Sequence, residues 1–379
     1  MRPLLAAARL SWKLLWHDRT RLLTSLGGLA FAVLLMLVQM GFRSSLIDSA
    51  TALLESLDGD IFIMSREKDC SVERDTIPII RVQQAQAASG VAAAYPLWFD
   101  MHSWRNLENG TFRPVRVIAA RVTDPVFLPS AIRAAMPSLE RPDTALLDSR
   151  SRRYYGHIGP GPAQIQREGL DVVGTFEMAA DLEVDGNVIV SDETFFRIGR
   201  ARPGDIEMIV VKLSTGADPD AVVERLRAAL PGDVAVRTKD EMRALDRDHW
   251  DSDTPVSMIV LIGLVMGIVV GVVICYQILY TEVADHLAEF ATLRAIGFGR
   301  GYIVVVVLIE ALFLSLVGLV PSLLAGWAIY VGLESATGLL LRLTLPSIAF
   351  VSTMTVLMCM AAGILALRKV LQADPAELF

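Results

Sequence analysis

Four apolar runs constrain this chain more than any other feature of its sequence: residues 22–43, 256–280, 302–333 and 343–367. Each has the ~20 residues that a helix needs to cross the hydrocarbon core of a bilayer. Lipid offers no water to backbone N–H and C=O groups, so such runs are expected to be helical. At 53% hydrophobic and 20% charged over 379 residues, the composition is that of a membrane protein and excludes an ordinary soluble domain of this size. The stretch before the first run carries Arg2, Arg9, Lys13, Arg19 and Arg21 against Asp18 alone. The positive-inside rule reads that imbalance as a cytoplasmic N-terminus. No small-residue cleavage pattern follows the first run, which is therefore expected to stay as an anchor.

Counting crossings from that end places 44–255 outside the cytoplasm, 281–301 inside, 334–342 outside and the tail 368–379 inside. Residues 1–21 are read as an amphipathic interfacial helix, because Leu4, Leu5, Trp12 and Trp16 cluster on one side and Arg9 and Lys13 lie opposite. The outer stretch holds 24 Lys and Arg against 34 Asp and Glu. So acidic a surface argues against nucleic acid as a partner.

Within 44–255 the helical pattern first continues past the membrane, at 44–57, and returns at 239–254, which suggests two stalks. Between them, period-two runs alternate with helical ones. Strands are expected at 59–64, 91–104 and 112–121 with a helix at 81–89, and the strand–helix–strand order recurs over 207–238. The Pro-, Gly- and Arg-richer stretch at about 125–205 reads as an inserted subdomain. The fold class predicted is four transmembrane helices plus an α+β outer domain on helical stalks.

Catalytic chemistry finds little support. None of the five lysines follows a glycine, so no G-x-x-x-x-G-K phosphate loop exists and the chain cannot be its own ATPase. No H-E-x-x-H, G-x-S-x-G or paired-cysteine motif occurs, and the histidines lack metal-ligand spacing. His249, Asp251 and Asp253 cluster locally, but Asp253 or Thr254 before Pro255 reads better as a cap for the second span. No catalytic, cofactor or metal residue is assigned.

Two intramembrane features carry more information. Gly263, Gly267 and Gly271 recur every four residues and leave one stripe of the second span bare for another helix. The spacing fits a seam between two copies or packing within one chain, and the seam is the favoured expectation. Glu310 is an acid well inside an apolar run, by default a functional candidate, with a polar neighbour or water as its structural alternative.

Segment 281–301, TEVADHLAEFATLRAIGFGRG, interrupts two of the most apolar runs. On a helix, Val283, Leu287 and Phe290 share one side while Asp285, Glu289 and Thr292 fall opposite. Gly297, Gly299 and Gly301 stop that helix and permit reversal into the third span. A short inner helix with one face to pack and one to present suits docking into a groove on a cytoplasmic partner.

That segment, with the Glu310 run after it, resembles the cytoplasmic loop of the MacB/FtsX/LolC superfamily of ABC transporter permeases, and more narrowly DevC-type permeases. Residues 271–298, the start RTRLLTSLGGLAFAVLLMLVQMGFR, the stretch LDGDIFIMS and the ending ADPAELF all look like that family. The resemblance implies a MacB-like, non-catalytic permease of the bacterial inner membrane, with both termini cytoplasmic and the large domain periplasmic. It implies a homodimer served by two copies of a separate ABC ATPase, which binds ATP and Mg. A periplasmic membrane-fusion adaptor, a TolC-like outer-membrane channel and a lipid-like cargo, a glycolipid in DevC systems, complete the assembly. Carried onto this sequence, the coupling helix comprises Glu282, Leu287, Glu289, Phe290, Leu293, Arg294 and Gly297. The FtsX branch supplies the alternative, a signalling protein that activates a cell-envelope hydrolase.

Overall fold

The computed structural model describes residues 19–178, 184, 186–199, 202–287, 289, 292, 296, 297, 299–337 and 342–372. The interfacial helix expected over 1–21, apart from its last three residues, and the tail from 373 lie outside the described residues. In chain order, α1 (Arg19–Ala50) and the short α2 (Ala52–Ser56) lead into β1 (Ile61–Ser65), β2 (Ile77–Pro78), α3 (Ile80–Gln86), β3 (Val91–Arg105) and β4 (Phe112–Ala120). Then come α4 (Ser130–Ala135), β5 (Thr144–Asp148), β6 (Gly161–Ile165), β7 (Glu168–Phe176), β8 (Asn187–Ser191), α5 (Asp192–Ile198) and β9 (Asp205–Ile206). Strand β10 (Met208–Leu213), α6 (Pro219–Ala229), β11 (Val234–Thr238), α7 (Lys239–Asp248) and a π-helical turn, His249–Asp253, bring the chain back to α8 (Pro255–Asp285), α9 (Arg300–Thr337) and α10 (Leu345–Gln372).

The chain divides into two compact units, Ser45–Thr254 with Glu334–Leu340 in one and the remainder in the other. Among the described residues, the four helices that make up most of the helical unit, Leu22–Ala50, Ser257–Asp285, Gly301–Glu334 and Leu345–Arg368, are long and apolar enough to cross a membrane. Its outward residues are apolar as well, with Met258, Ile262, Val320 and Leu324 each more than half exposed, as expected where the solvent is lipid. The molecule is a multi-pass membrane protein.

The other unit, called the outer unit after the placement expected from the sequence, is built on a sheet ordered β11-β1-β10-β3-β4-β8-β5-β7-β6. Its first four strands are all antiparallel neighbours, β1 lying between β10 and β11 and β10 pairing with β3. Two strand–helix–strand units, β1-α3-β3 and β10-α6-β11, therefore interleave, each helix crossing over the strand contributed by the other unit. Both faces are covered, so the strands read as continuous apolar runs. Ile61 and Ile63 of β1 enter one core with Val222 and Leu226 of α6, while Phe62 and Met64 enter the other with Leu53, Leu54 and Met242.

Strand β3 explains why the insertion takes in more chain than the composition shift at about 125 suggests. Its first half pairs with β10 as far as Leu97↔Met208, and from Trp98 onward it pairs with β4. Trp104 and Arg105 at its far end also pair with Ile165 and Gln164 of β6. Strands β3, β4, β8, β5, β7 and β6 thus close on themselves, and one 15-residue strand serves both subdomains. Strands β6 and β7 form a hairpin with each other, while their remaining partners, β3 for β6 and β5 for β7, lie farther off in the sequence.

Several charges are buried in this unit. Lys68 donates to the Glu207 carbonyl at 3.0 Å and lies 5.0 Å over the Phe99 ring; burial pulls its amine down to about 8. Burial likewise raises Glu207 to about 7, although the Phe99 amide donates to its carboxylate at 3.2 Å. Asp148, which accepts from Arg150, Met178 and Asn187, and Asp246, which accepts from the Ser71 amide and hydroxyl, both rise to about 6. Folded carboxyls with raised pKa bind protons more tightly than unfolded ones, so their stability contribution grows as pH falls toward about 4 and is lost as pH rises through 6 to 7. The thermal transition of the outer unit is therefore expected to lie higher at pH 5.5 than at pH 7.5 by about 5 °C. Calorimetry of Glu207→Gln should show a smaller difference.

Candidate functional site

At one end of the helical unit, Val283 of α8, Ile303, Val306 and Val307 of α9 and Leu367 of α10 form a small buried cluster. Leu287 packs against it, which anchors the start of the segment that joins α8 to α9. The His286 amide donates to the Glu282 carbonyl at 3.2 Å, so the helical course runs past Asp285, and Glu282 itself is buried. His286 Nδ1 lies 3.2 Å from Glu289 Oε1, yet the Glu289 side chain remains 57% exposed. Further on, the Ile296 amide donates to the Thr292 carbonyl at 3.1 Å, a helical bond, while the Ile296 side chain is 71% exposed. Gly297 then turns to φ +106° with open space around it. A glycine is needed there for its backbone conformation, not for room, and it ends the helical course as a left-handed cap. Of the residues expected in this segment, Phe290, Leu293 and Arg294 lie outside the described residues. The described ones divide into Leu287, directed at the bundle, and Glu289 and Ile296, presented away from it.

The glycine stripe of α8 is filled from within the chain. A Cβ on Gly267 would meet Met36 of α1 at 3.4 Å, and one on Gly271 would meet Met358 of α10 at 2.6 Å and Ala32 of α1 at 3.1 Å. Gly263 faces Gln39 of α1. The expected seam between two copies is thus not what occupies this stripe; α1 and α10 do. Helix α1 is held the same way elsewhere. Its Gly28 admits Ile274 of α8, and Gly318 and Gly326 of α9 admit its Leu29 and Leu37. Gly41 makes room for Tyr330 of α9, whose hydroxyl donates to the Leu37 carbonyl. Leu29, Ala32, Val33, Met36 and Leu37 are fully buried as a result.

The residues of both units match known families. Residues 22–229, more than half of the chain, match the MacB-like periplasmic core domain, and residues 259–375 match the FtsX-like permease C-terminal family. The chain belongs to the MacB/FtsX/LolC superfamily of ABC-type permeases. Among solved structures, the periplasmic region of MacB from Actinobacillus actinomycetemcomitans aligns at 12% identity and a TM-score of 0.35, covering 48% of this chain and 90% of that one. The extracellular domain of the noncanonic ABC-type transporter YknZ from Gram-positive bacteria aligns at 10% identity and a TM-score of 0.32, covering 48% and 99%. No curated protein matches the chain.

In this permease Glu310 lies on α9 and is 1% exposed, enclosed by the bundle one turn beyond Val306 and Val307. A second group of residues has no signature in the sequence. Arg243 of α7 donates to Glu55 of α2 at 2.6 Å and also pairs with Asp240, while Lys239 donates to the Leu57 carbonyl at 3.0 Å. The hydrogen bond from Arg243, with its charge, holds the Glu55 carboxyl below its ordinary range. Thr238 and Glu241 cap α7 reciprocally, and Asp246 fixes the Ser71 loop against it. The segments that follow α1 and precede α8 are therefore clasped together, across 188 positions of sequence.

Two glycines of α1 test the packing claim. Gly41→Ala should cost about 1–3 kcal/mol of stability in detergent because its methyl collides with Tyr330. Gly27→Ala, with nothing within 4 Å, should be neutral or mildly stabilising by the same thermal-unfolding measurement.

Proposed function

We propose that this permease is the membrane subunit of a tripartite exporter of the DevC type, driven by a separate ATPase that docks on the segment between α8 and α9. One observation carries the reading. The chain has no phosphate-binding loop of its own, yet it holds between two spans a short helical segment anchored through Leu287, capped at Gly297 and exposing Glu289 and Ile296. That is what a groove on a nucleotide-hydrolysing partner requires: one face fixed to the bundle and one left to the partner. In this reading two copies of the permease and two of the ATPase form the membrane complex. The arginine- and lysine-rich N-terminal stretch supports this reading, in which the permease lies in the inner membrane with both termini on the cytoplasmic side.

The outer unit then lies in the periplasm, where it meets a membrane-fusion adaptor and, through it, a TolC-like channel. ATP-driven motion passes along the clasped segments around Glu55 and Arg243 and expels a lipid-like cargo, a glycolipid by the DevC resemblance. Lipid analysis of the outer membrane with and without the gene separates this from the FtsX-type alternative. Loss of one lipid class supports export; unchanged lipids with reduced envelope-hydrolase activity support signalling.

Reversing the exposed charge tests the docking segment directly. In proteoliposomes with the ATPase, Glu289→Arg is expected to lower stimulated ATP turnover by about tenfold or more, since like-charge juxtaposition at an interface costs several kcal/mol. The variant should unfold at the same temperature as the parent. Unchanged turnover would remove Glu289 from the interface.

A further inference from the structure

Cys275 of α8 and Cys359 of α10 stand with their Sγ atoms 3.5 Å apart, although 84 positions separate them in sequence. Both are free thiols and both are fully buried. Two small apolar fillers would account for burial alone, but the backbones around them add a second observation. Helices α8 and α10 lie side by side over much of their length. A Cβ on Gly271, one turn before Cys275, would meet Met358 of α10 at 2.6 Å, and one on Gly363, about one turn after Cys359, would meet Leu279 of α8 at 3.6 Å. A disulfide requires Cα atoms roughly 4.4–6.8 Å apart and side chains directed at one another. The two facing sulfurs, 3.5 Å apart, need to close by about 1.5 Å to reach the length of an S–S bond.

We propose that Cys275 and Cys359 form an oxidation site, which a small two-electron oxidant of the peroxide class converts to a disulfide tying α8 to α10. The first sulfur loses its proton and attacks peroxide; an S–O bond forms, the O–O bond breaks and one water leaves. The second sulfur attacks the sulfenic sulfur; the S–S bond forms, the S–O bond breaks and a second water carries off the remaining hydrogen. Two thiols and one peroxide become one disulfide and two waters. Peroxide is small and uncharged enough to reach an apolar interior, whereas bulky charged thiol reagents are not. The tie restrains the helix from which the docking segment continues, and this consequence rests on the function proposed above.

The test uses the full-length permease in detergent, exposed to hydrogen peroxide and then denatured for thiol counting and peptide mass analysis. Free thiols are expected to fall from three to one per chain, with Cys70 remaining, and a linked peptide containing Cys275 and Cys359 should appear. Cys359→Ser and Cys275→Ser should each give no linked peptide. Three thiols retained, or thiols lost without the linked peptide, would overturn the site. In proteoliposomes with the ATPase, oxidation should abolish stimulated turnover in the parent, dithiothreitol should restore it, and Cys359→Ser should not respond. Full turnover in the disulfide form would overturn the restraint. Absence of stimulation in the reduced parent would count against the proposed function instead, while the thiol count still decides the oxidation site.

Discussion

Side chains seated at glycine positions around α1 are the constraint on which the helical unit depends. Lipid tails are as apolar as leucine, so burying Leu29 or Met36 against a neighbouring helix gains little from the hydrophobic effect. Association must come from contact, and contact is greatest where one backbone comes within reach of another's side chains. Glycines on three helices provide those places, with Gly28 and Gly41 on α1 itself, Gly267 and Gly271 on α8, and Gly318 and Gly326 on α9. The hydroxyl of Tyr330, satisfied by the Leu37 carbonyl, adds a polar fastening where no water competes. Helix α1 continues unbroken from Arg19 to Ala50, whereas the return connection relaxes to extended backbone at Thr254 before α8 begins.

The outer unit solves a different problem, that of two subdomains with one set of strands. A 15-residue strand that changes partners between Leu97 and Trp98 makes the four-stranded sheet and the closed sheet mechanically continuous. Its residues divide between the two cores, Leu97 and Phe99 to one, Trp98 and Trp104 to the other. The clasp of Arg243 on Glu55 and of Lys239 on the Leu57 carbonyl joins the two ends of this unit. In the proposed exporter a displacement delivered to either end is shared by both.

Much of this was legible in the sequence because the relevant signals are local. The apolar runs are unmistakable over 20 residues, and the runs around Ile61, Val91 and Val234 carry their own period. The segment between α8 and α9 is legible for the same reason, Leu287 and the turn at Gly297 lying within one short stretch. What escaped is what depends on distant pairing. Gly263, Gly267 and Gly271 announce a close contact but cannot name the partner, and only the bundle assigns them to α1 and α10. Closure of β3 on β6 through Trp104 and Ile165, the Glu55–Arg243 pair and the Cys275–Cys359 approach join residues that no periodicity links.

In the proposed exporter, nucleotide binding by the partner ATPase at the segment between α8 and α9 rearranges the outer units of two paired permeases. A distance between the two outer units tests it most directly. Nitroxide labels at the exposed position Asp220 of α6, in complexes with the ATPase in lipid, allow pulsed electron resonance to read that distance with and without ATP. The mean distance is expected to shift on ATP binding, to return after hydrolysis and to stay unchanged in Glu289→Arg. An unchanged distribution in a complex that hydrolyses ATP would contradict it.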